Sequence, residues 1–385
     1  MRKVVIIGSA HPLRGGLAAY NERLAREFRH HAESVTIFSF RLQYPSILFP
    51  GKTQYSSEPA PEDLDIRTVI NSVNPFNWIR MGWRIRNLRP DLVIVKYWMP
   101  FMAPCLGTIC RIIRTNRHSR AISILDNLIP HEQHPGDRLL TGYFARSVHG
   151  FIAMSRSVLQ DLALFDRKKP RAFCPHPLYD HYGPLIPKQV ARQVLGLDKQ
   201  SNWVLFFGFI RDYKGLDLLI HAFAEPKIRE LNLKLLVAGE FYCDSKPYLD
   251  LIRRYGLQDS VVLSNEFIPD NRVVNYFSAA DVVVQPYKTA TQSGVTQIAY
   301  HFEKPMIITN VGGLAEFVAD GCAGFVVDPD PAAIAEAITR FYREEREHVF
   351  IAGVAREKEK YSWKNMIEAI ETLLMNMENP FPEEK

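Results

Sequence analysis

Cysteine is scarce and scattered in this chain. Cys105, Cys110, Cys174, Cys243 and Cys322 form no C-x-x-C pair, and their number is odd. That excludes a disulfide scaffold and fits reduced thiols, so a cytoplasmic protein is expected. No Cys/His cluster has metal-ligand spacing and no acidic metal motif stands out, so neither a metal nor another cofactor is expected. Long apolar runs are missing as well. The run in the opening MRKVVIIGSAHP reads as a strand ending in glycine and not as a signal peptide. No uncharged apolar stretch approaches the roughly 18 residues of a spanning helix. Charge bias is weak: 47 Lys and Arg face 42 Asp and Glu, a net charge of +5. This is too little to argue for nucleic acid, and none is expected as a partner. It suits anionic substrates or an anionic membrane surface. The pattern G-x-G-x-x-G is absent from the first glycine loop, which excludes the usual dinucleotide fingerprint there.

What is present is repetition of strand, loop and helix. With 385 residues and 47% hydrophobic residues, two domains with substantial cores are expected. Continuous apolar runs at 4–8, 35–40, 66–71, 90–96, 121–125 and 151–154 read as strands of a parallel sheet buried on both faces. Helical spacing of Leu17, Tyr20, Leu24 and Phe28 follows the first of them. The loop between them holds Gly15 and Gly16, which let backbone approach a ligand closely or simply make a tight turn. Residues 41–62 form a connection too long to be simple. Helix 78–88, WIRMGWRIRNL, interleaves Arg80, Arg84 and Arg86 with Trp78, Ile79, Trp83 and Ile85. It reads either as a core-packed helix with one wet face or as a membrane-surface contact. Ligands of open α/β sheets sit at the carboxyl ends of strands. Asp126, Asn127, His131 and Glu132 follow the strand at 121–125 and are therefore cleft candidates.

The second half repeats the pattern. Strands are expected at 204–207, 233–238, 261–263, 281–285 and 305–309, with helices near 216–223, 270–279, 332–344 and 363–377. Its centre is WVLFFGFIRDYKG, residues 203–215. A buried strand ends in glycine and feeds a helix through a loop carrying Arg211 and Lys214. Backbone N–H groups and the helix dipole favour an anion there. Arginine offers a planar fork to phosphate oxygens and lysine a mobile point charge. Other strand ends bring Gly239 and Glu240, then Gln292, Ser293 and Gly294, then Gly312, Gly313 and Glu316. Four such sets in one sheet suggest a phosphorylated ligand.

The segments RGGLAAYNERLA, FFGFIRDYKGLDLLIHAF, LLVAGE, AADVVVQPY and KPMIITNVGGLAEFVADGCAGFVVDPD occur in that order across nearly the whole chain. Together they resemble the retaining glycosyltransferases of family 4, glycosyl transferases group 1, which have the GT-B fold. The resemblance implies an α/β chain of two Rossmann-like, doubly wound domains facing a cleft. An acceptor-side domain would span 1–182 and a nucleotide-sugar donor domain 183–362. A terminal helix and tail would cover 363–385, with a return to the first domain as one option. It implies transfer from a nucleoside diphosphate sugar, without metal, to a glycan or lipid-linked acceptor, as in cell envelope polysaccharide biosynthesis. Peripheral contact with the inner membrane surface is a further option. By analogy Arg211 and Lys214 meet the diphosphate, and Gly15 and Gly16 approach it from the other domain. Ser293 and Gly294 offer N–H groups to the distal phosphate, Gln292 beside them is a further donor-binding candidate, and the base lies near Gly239 and Ile268. Two positions depart from the family. Its glutamate pair, eight apart, maps onto Ala290 and Ile298, leaving Glu316 or Gln297 as stand-ins for the ribose. Its histidine maps onto Asp126, with His131 close by, and these two are the catalytic candidates. A GT-B epimerase or phosphorylase-like enzyme, and a catalytically silent nucleotide-sugar-binding partner, are the alternatives.

Overall fold

The structure is a computed structural model that describes residues 3–45, 53–56, 58–130, 134–290 and 293–378. His131, Glu132 and Gln292 lie outside the described residues. The chain divides into two units, Met1–Pro177 with Ser362–Lys385, and Leu178–Tyr361.

In the first unit seven strands form one sheet: β1 (Lys3–Ile7), β2 (Ser34–Leu42), β3 (Asp65–Asn71), β4 (Leu92–Tyr97), β5 (Arg120–Leu125), β6 (Gly150–Ala153) and β7 (Arg171–Phe173). All neighbours are parallel, in the order β3-β2-β1-β4-β5-β6-β7. The order reverses between β1 and β4, so the loops after these strands diverge and leave room for a ligand. Helices α1 (Gly16–Phe28), α2 (Pro75–Leu88), α3 (Ala103–Arg114), α4 (Asp137–Ala145) and α5 (Arg156–Leu162) make the crossovers. Two apolar clusters result, one on each face of the sheet. Leu106, Ile109, Ile113 and Phe144 lie in one; Tyr20, Leu24 and Phe28 of α1 lie in the other.

The second unit has six parallel strands: β8 (Asn202–Phe207), β9 (Leu233–Ala238), β10 (Val261–Ser264), β11 (Val282–Gln285), β12 (Met306–Thr309) and β13 (Gly324–Val327), in the order β10-β9-β8-β11-β12-β13. Its reversal falls between β8 and β11. The helices are α6 (Lys188–Val194), α7 (Leu216–Ala224), α8 (Pro226–Arg229), α9 (Lys246–Arg254), α10 (Asp270–Ala279), α11 (Gly294–His301), α12 (Pro331–Arg343) and α13 (Glu347–Glu357). The last helix, α14 (Trp363–Glu378), packs in the first unit. Its Met366, Ile367, Ile370 and Leu373 join the α1 cluster. Each such side chain contributes about 1.5–3 kcal/mol when taken from water.

The α/β fold of two parallel sheets agrees with the sequence reading. The short strand expected to end at His176, Pro177 and Leu178 is β7, which ends at Phe173; the edge strand β13 and the helices α4, α6, α8, α9 and α13 were not anticipated. β7 and β13 are three and four residues long. Stretches this short carry too few residues for a periodic signal.

Candidate functional site

The reversal in the second unit assembles a basic loop and a helix start. After Phe207 the chain turns at Gly208, whose φ is +99°. A short turn over Asp212–Lys214 then leads into α7. That turn lies against the loop after β11. Lys288 N donates to Tyr213 O at 2.7 Å, and Gly215 sits so close to Pro286 that a Cβ would meet its carbonyl oxygen at 1.9 Å. Only glycine fits this junction. Lys214 is folded back over Gly208: its Nζ is 3.0 Å from where a Gly208 Cβ would stand and 5.3 Å from the Tyr287 ring. Among the described residues no carboxylate pairs with it. Burial pulls the Lys214 pKa below its usual value, and the positive charge of Arg211 adds to this against the opposing effect of Tyr213.

Beside that amine stands the start of α11. Val295 Cγ2, in its first turn, is 3.5 Å from the same Gly208 Cβ position. Ser293 caps the helix, its Oγ accepting from Val295 N at 3.2 Å and lying 3.2 Å from the Tyr287 hydroxyl. The loop before it is tied down by Gly313 N, which donates to Ala290 O at 3.0 Å, and by Thr309 Oγ1, which donates to Tyr287 O at 2.6 Å. Gly239 abuts Gly208, with a φ of +153° and a would-be Cβ 2.0 Å from the Gly208 carbonyl oxygen. The structure thus brings Lys214, Ser293, Gly294 and Gly239 together around Gly208. Arg211 stands over the Tyr242 ring at 5.4 Å.

Sequence reasoning missed the aromatic rings at this edge. Phe209 packs on Tyr242 at 4.3 Å and on Phe267 at 6.2 Å, next to the buried Ile268. The signal was the interleaving of Phe209, Tyr242 and Phe267 with the glycine-bearing strand ends. Glu316 is exposed on the short turn Leu314–Phe317. Gln297 and Ile298 are buried within α11, and Ala290 is buried in the loop before it.

The other candidates belong to the first unit. Gly15 precedes α1 with a φ of +96° and open space around its Cβ position; Gly16 is the exposed first residue of the helix. Asp126 follows β5 and is buried. Its Oδ1 is 3.1 Å from Nζ of Lys96, the penultimate residue of β4, which is 1% exposed. Lys96 also lies 3.3 Å from the centre of the Tyr20 ring. Burial pulls its pKa down to about 8, while Asp126 holds it up. This ion pair was legible only as a lone lysine ending an apolar strand. His176 completes the cluster, its ring 5.0 Å from that of Tyr20. His176 Nδ1 donates to Pro177 O at 2.6 Å. Burial and the charge of Lys96 push its pKa down to about 3.

This histidine links stability to acid. Its folded pKa is depressed, so the unfolded chain takes up a proton first as pH falls. The stability it contributes is complete above about pH 6.5 and is lost toward pH 3, by about 1.4 kcal/mol per unit. Urea titrations at pH 7 and pH 5 should therefore differ by about 2 kcal/mol more in the wild type than in His176→Gln. Equal slopes would mean that His176 is not held neutral.

Among the described residues no three His, Cys, Asp or Glu side chains are grouped as metal ligands would be. Comparison with known proteins adds a similarity over part of the chain and a fold. Residues 201–344 match the family model of glycosyl transferases group 1. An uncharacterized glycosyltransferase of Methanocaldococcus jannaschii is 32% identical over 180 residues, 46% of this chain and 45% of the relative. The chain spans about half the length of the first curated relatives it matches. Sucrose-phosphate synthase from Thermosynechococcus elongatus superposes with a TM-score of 0.75 at 16% identity, covering 99% of this chain and 100% of that one. Anabaena HepE, in complex with UDP-glucose, superposes with a TM-score of 0.72 at 17% identity, covering 97% and 100%. Residues 201–344, which carry the β8–β11 switch point and its lysine, are therefore similar to glycosyl transferases group 1 and lie within a chain of GT-B fold.

Proposed function

We propose that the protein is a glycosyltransferase that moves a sugar from a nucleoside diphosphate donor to a glycan or lipid-linked acceptor, with retention at the anomeric carbon. The observation that carries this reading is the Lys214 amine. It is half-buried, has no carboxylate partner among the described residues and stands beside the α11 N-terminus. A cation so held has its electrostatic need met by an anion from outside. The family match over 201–344 and the UDP-glucose bound by HepE support a nucleotide sugar. Breaking the anomeric C–O bond leaves its electron pair on the diphosphate and positive character on the sugar. In this reading Lys214, Arg211 and the N–H groups at Ser293 and Gly294 stabilise that developing charge. The acceptor oxygen bonds to the anomeric carbon and its proton passes to the departing phosphate. Phe209, Tyr242 and Phe267, with Gly239 and Ile268, offer apolar faces to the base. Glu316 offers a carboxylate to donor hydroxyls. Asp126, oriented by Lys96, and His131 are proposed to meet the transferred sugar.

A ligand that binds only the folded chain stabilises it by RT ln(1 + [L]/Kd). UDP, GDP, ADP and their hexose conjugates should therefore be compared for their effect on the melting temperature. One diphosphate is expected to raise it, with the shift reduced in Arg211→Ala. No shift with any of them, with acceptor membranes added, would overturn the donor site. Ala290 and Ile298 favour one second reading, a silent nucleotide-sugar-binding partner. Nucleotide-dependent stabilisation without donor turnover on any acceptor would select it.

A further inference from the structure

We infer that the outward face of α2 is a docking surface for an anionic lipid bilayer. The inference is independent of the donor site.

Outer stripes of surface helices are normally polar. On α2 the outward positions follow each other at spacings of three and four, and four of them are large and apolar. Phe76 is 84% exposed, Ile79 46%, Trp83 48% and Leu88 43%. Arg80 and Arg84 stand on the same face and are exposed.

The helix cannot turn this face inward, because its rotation is fixed from both ends. Asn74 caps it, accepting from Asn77 N at 3.2 Å. The Asn77 side chain is bonded to Asn71 N at 2.8 Å and Val69 O at 3.0 Å, and Trp78 Nε1 donates to Asn71 O at 2.8 Å. Further along, Gly82 packs on α3 so closely that a Cβ would stand 2.8 Å from Ile112 Cβ. Met81 and Ile85 supply the buried side.

Charge selects the occupant. Residues 73–120 hold nine Lys and Arg against one acid, Asp91, a balance of +8 in a chain whose total is +5. Among the described residues none of Arg80, Arg84, Arg86 and Arg89 pairs with a carboxylate. Arg86 Cζ lies 4.7 Å over the Trp83 ring instead. A stripe of exposed aromatic and aliphatic side chains flanked by arginines that no carboxylate bonds directly matches the acyl–headgroup boundary, where apolar groups enter and cations meet phosphates.

The full chain should be sedimented with phosphatidylcholine vesicles, with and without phosphatidylglycerol. Binding is expected to the anionic vesicles and to weaken with salt. The double variant Arg80→Gln/Arg84→Gln should bind about 30-fold more weakly, from about a fivefold loss per charge. Phe76→Ser/Trp83→Ser should lose binding to both vesicle types. Both variants change exposed side chains, and unaltered melting curves would confirm that they fold. Absence of binding to anionic vesicles, or equal binding by the arginine variant, overturns the inference. So does a concentration-dependent dimer that Trp83→Ser dissolves, since that face would then join two copies of the chain.

Discussion

Lys214→Ala is expected to lower turnover of the nucleotide sugar by about 10²–10³-fold, the loss typical of removing one group aimed at developing charge. Diphosphate affinity should fall by tenfold or more, as expected for a charged hydrogen bond to an anion. Stability should move the other way or not at all. The side chain is half-buried and lacks a carboxylate partner among the described residues, so the folded chain bears part of the cost of burying its charge without a compensating ion pair. Truncation removes the cost and leaves no acidic group stranded. Lys214→Arg should not restore turnover. The amine fits over Gly208, at 3.0 Å from its Cβ position, and a guanidinium is broader. Isothermal titration with the diphosphate, beside a melting curve, reads both quantities. Wild-type affinity and turnover in Lys214→Ala would remove the lysine from the site. A stability loss of several kcal/mol would make it a structural residue.

Asp281→Ala should carry the largest stability effect, about 3–5 kcal/mol, as when one partner of a buried ion pair is deleted. Asp281 lies between α10 and β11. Its Oδ1 receives Lys188 Nζ at 2.5 Å and Arg192 Nη2 at 2.9 Å. Its Oδ2 receives Trp203 N at 2.6 Å and the Tyr342 hydroxyl at 3.3 Å. Arg192 is itself buried, and so is Lys304, whose pKa burial pulls down to about 8. Removing the carboxylate leaves the buried Arg192 without its counterion and Lys188 with Glu347 alone, at 2.6 Å, and frees the Trp203 N–H of β8. Because β8 ends at the Gly208 turn, nucleotide affinity should fall with stability. Asp281→Asn keeps an acceptor for Trp203 N and should lose less. Hydrogen exchange resolved along the chain is the appropriate measurement, since a chain of two units need not unfold in one step. Protection lost first in 178–361 is the expected result. Unchanged protection would show that the cations are adequately held by Glu347 and by the carbonyls of Ala279, Ala280 and Lys199.

The two parallel sheets were legible because strands buried on both faces write continuous apolar runs, as in VLFF and LKLLVA, and glycine marks where each ends. The cationic loop at 211–214 was legible for a related reason. A glycine turn between a buried strand and an amphipathic helix leaves few places for an arginine and a lysine except the strand's carboxyl end. The partners of these groups were not legible. Nothing local pairs Lys96 with Asp126, 30 residues on, because β4 and β5 become neighbours only when the sheet forms. Nor does sequence bring Gly239 against Gly208, or Asp281 to Arg192. The same limit applies to α2. Its periodicity allowed either a wet polar face or an exposed apolar one, and the choice depended on which side met α3.

The sequence by itself determined the α/β class, the alternation of strand and helix and the identity of the basic loop, because each rests on spacing within one segment. Tertiary structure decided which strand ends share a switch point, that Lys96 is paired with a carboxylate while Lys214 has none among the described residues, and that α14 returns to the core of the first unit. These depend on contacts between residues far apart in the chain. Burial, and with it the strength of every charge interaction, exists only once those contacts have formed.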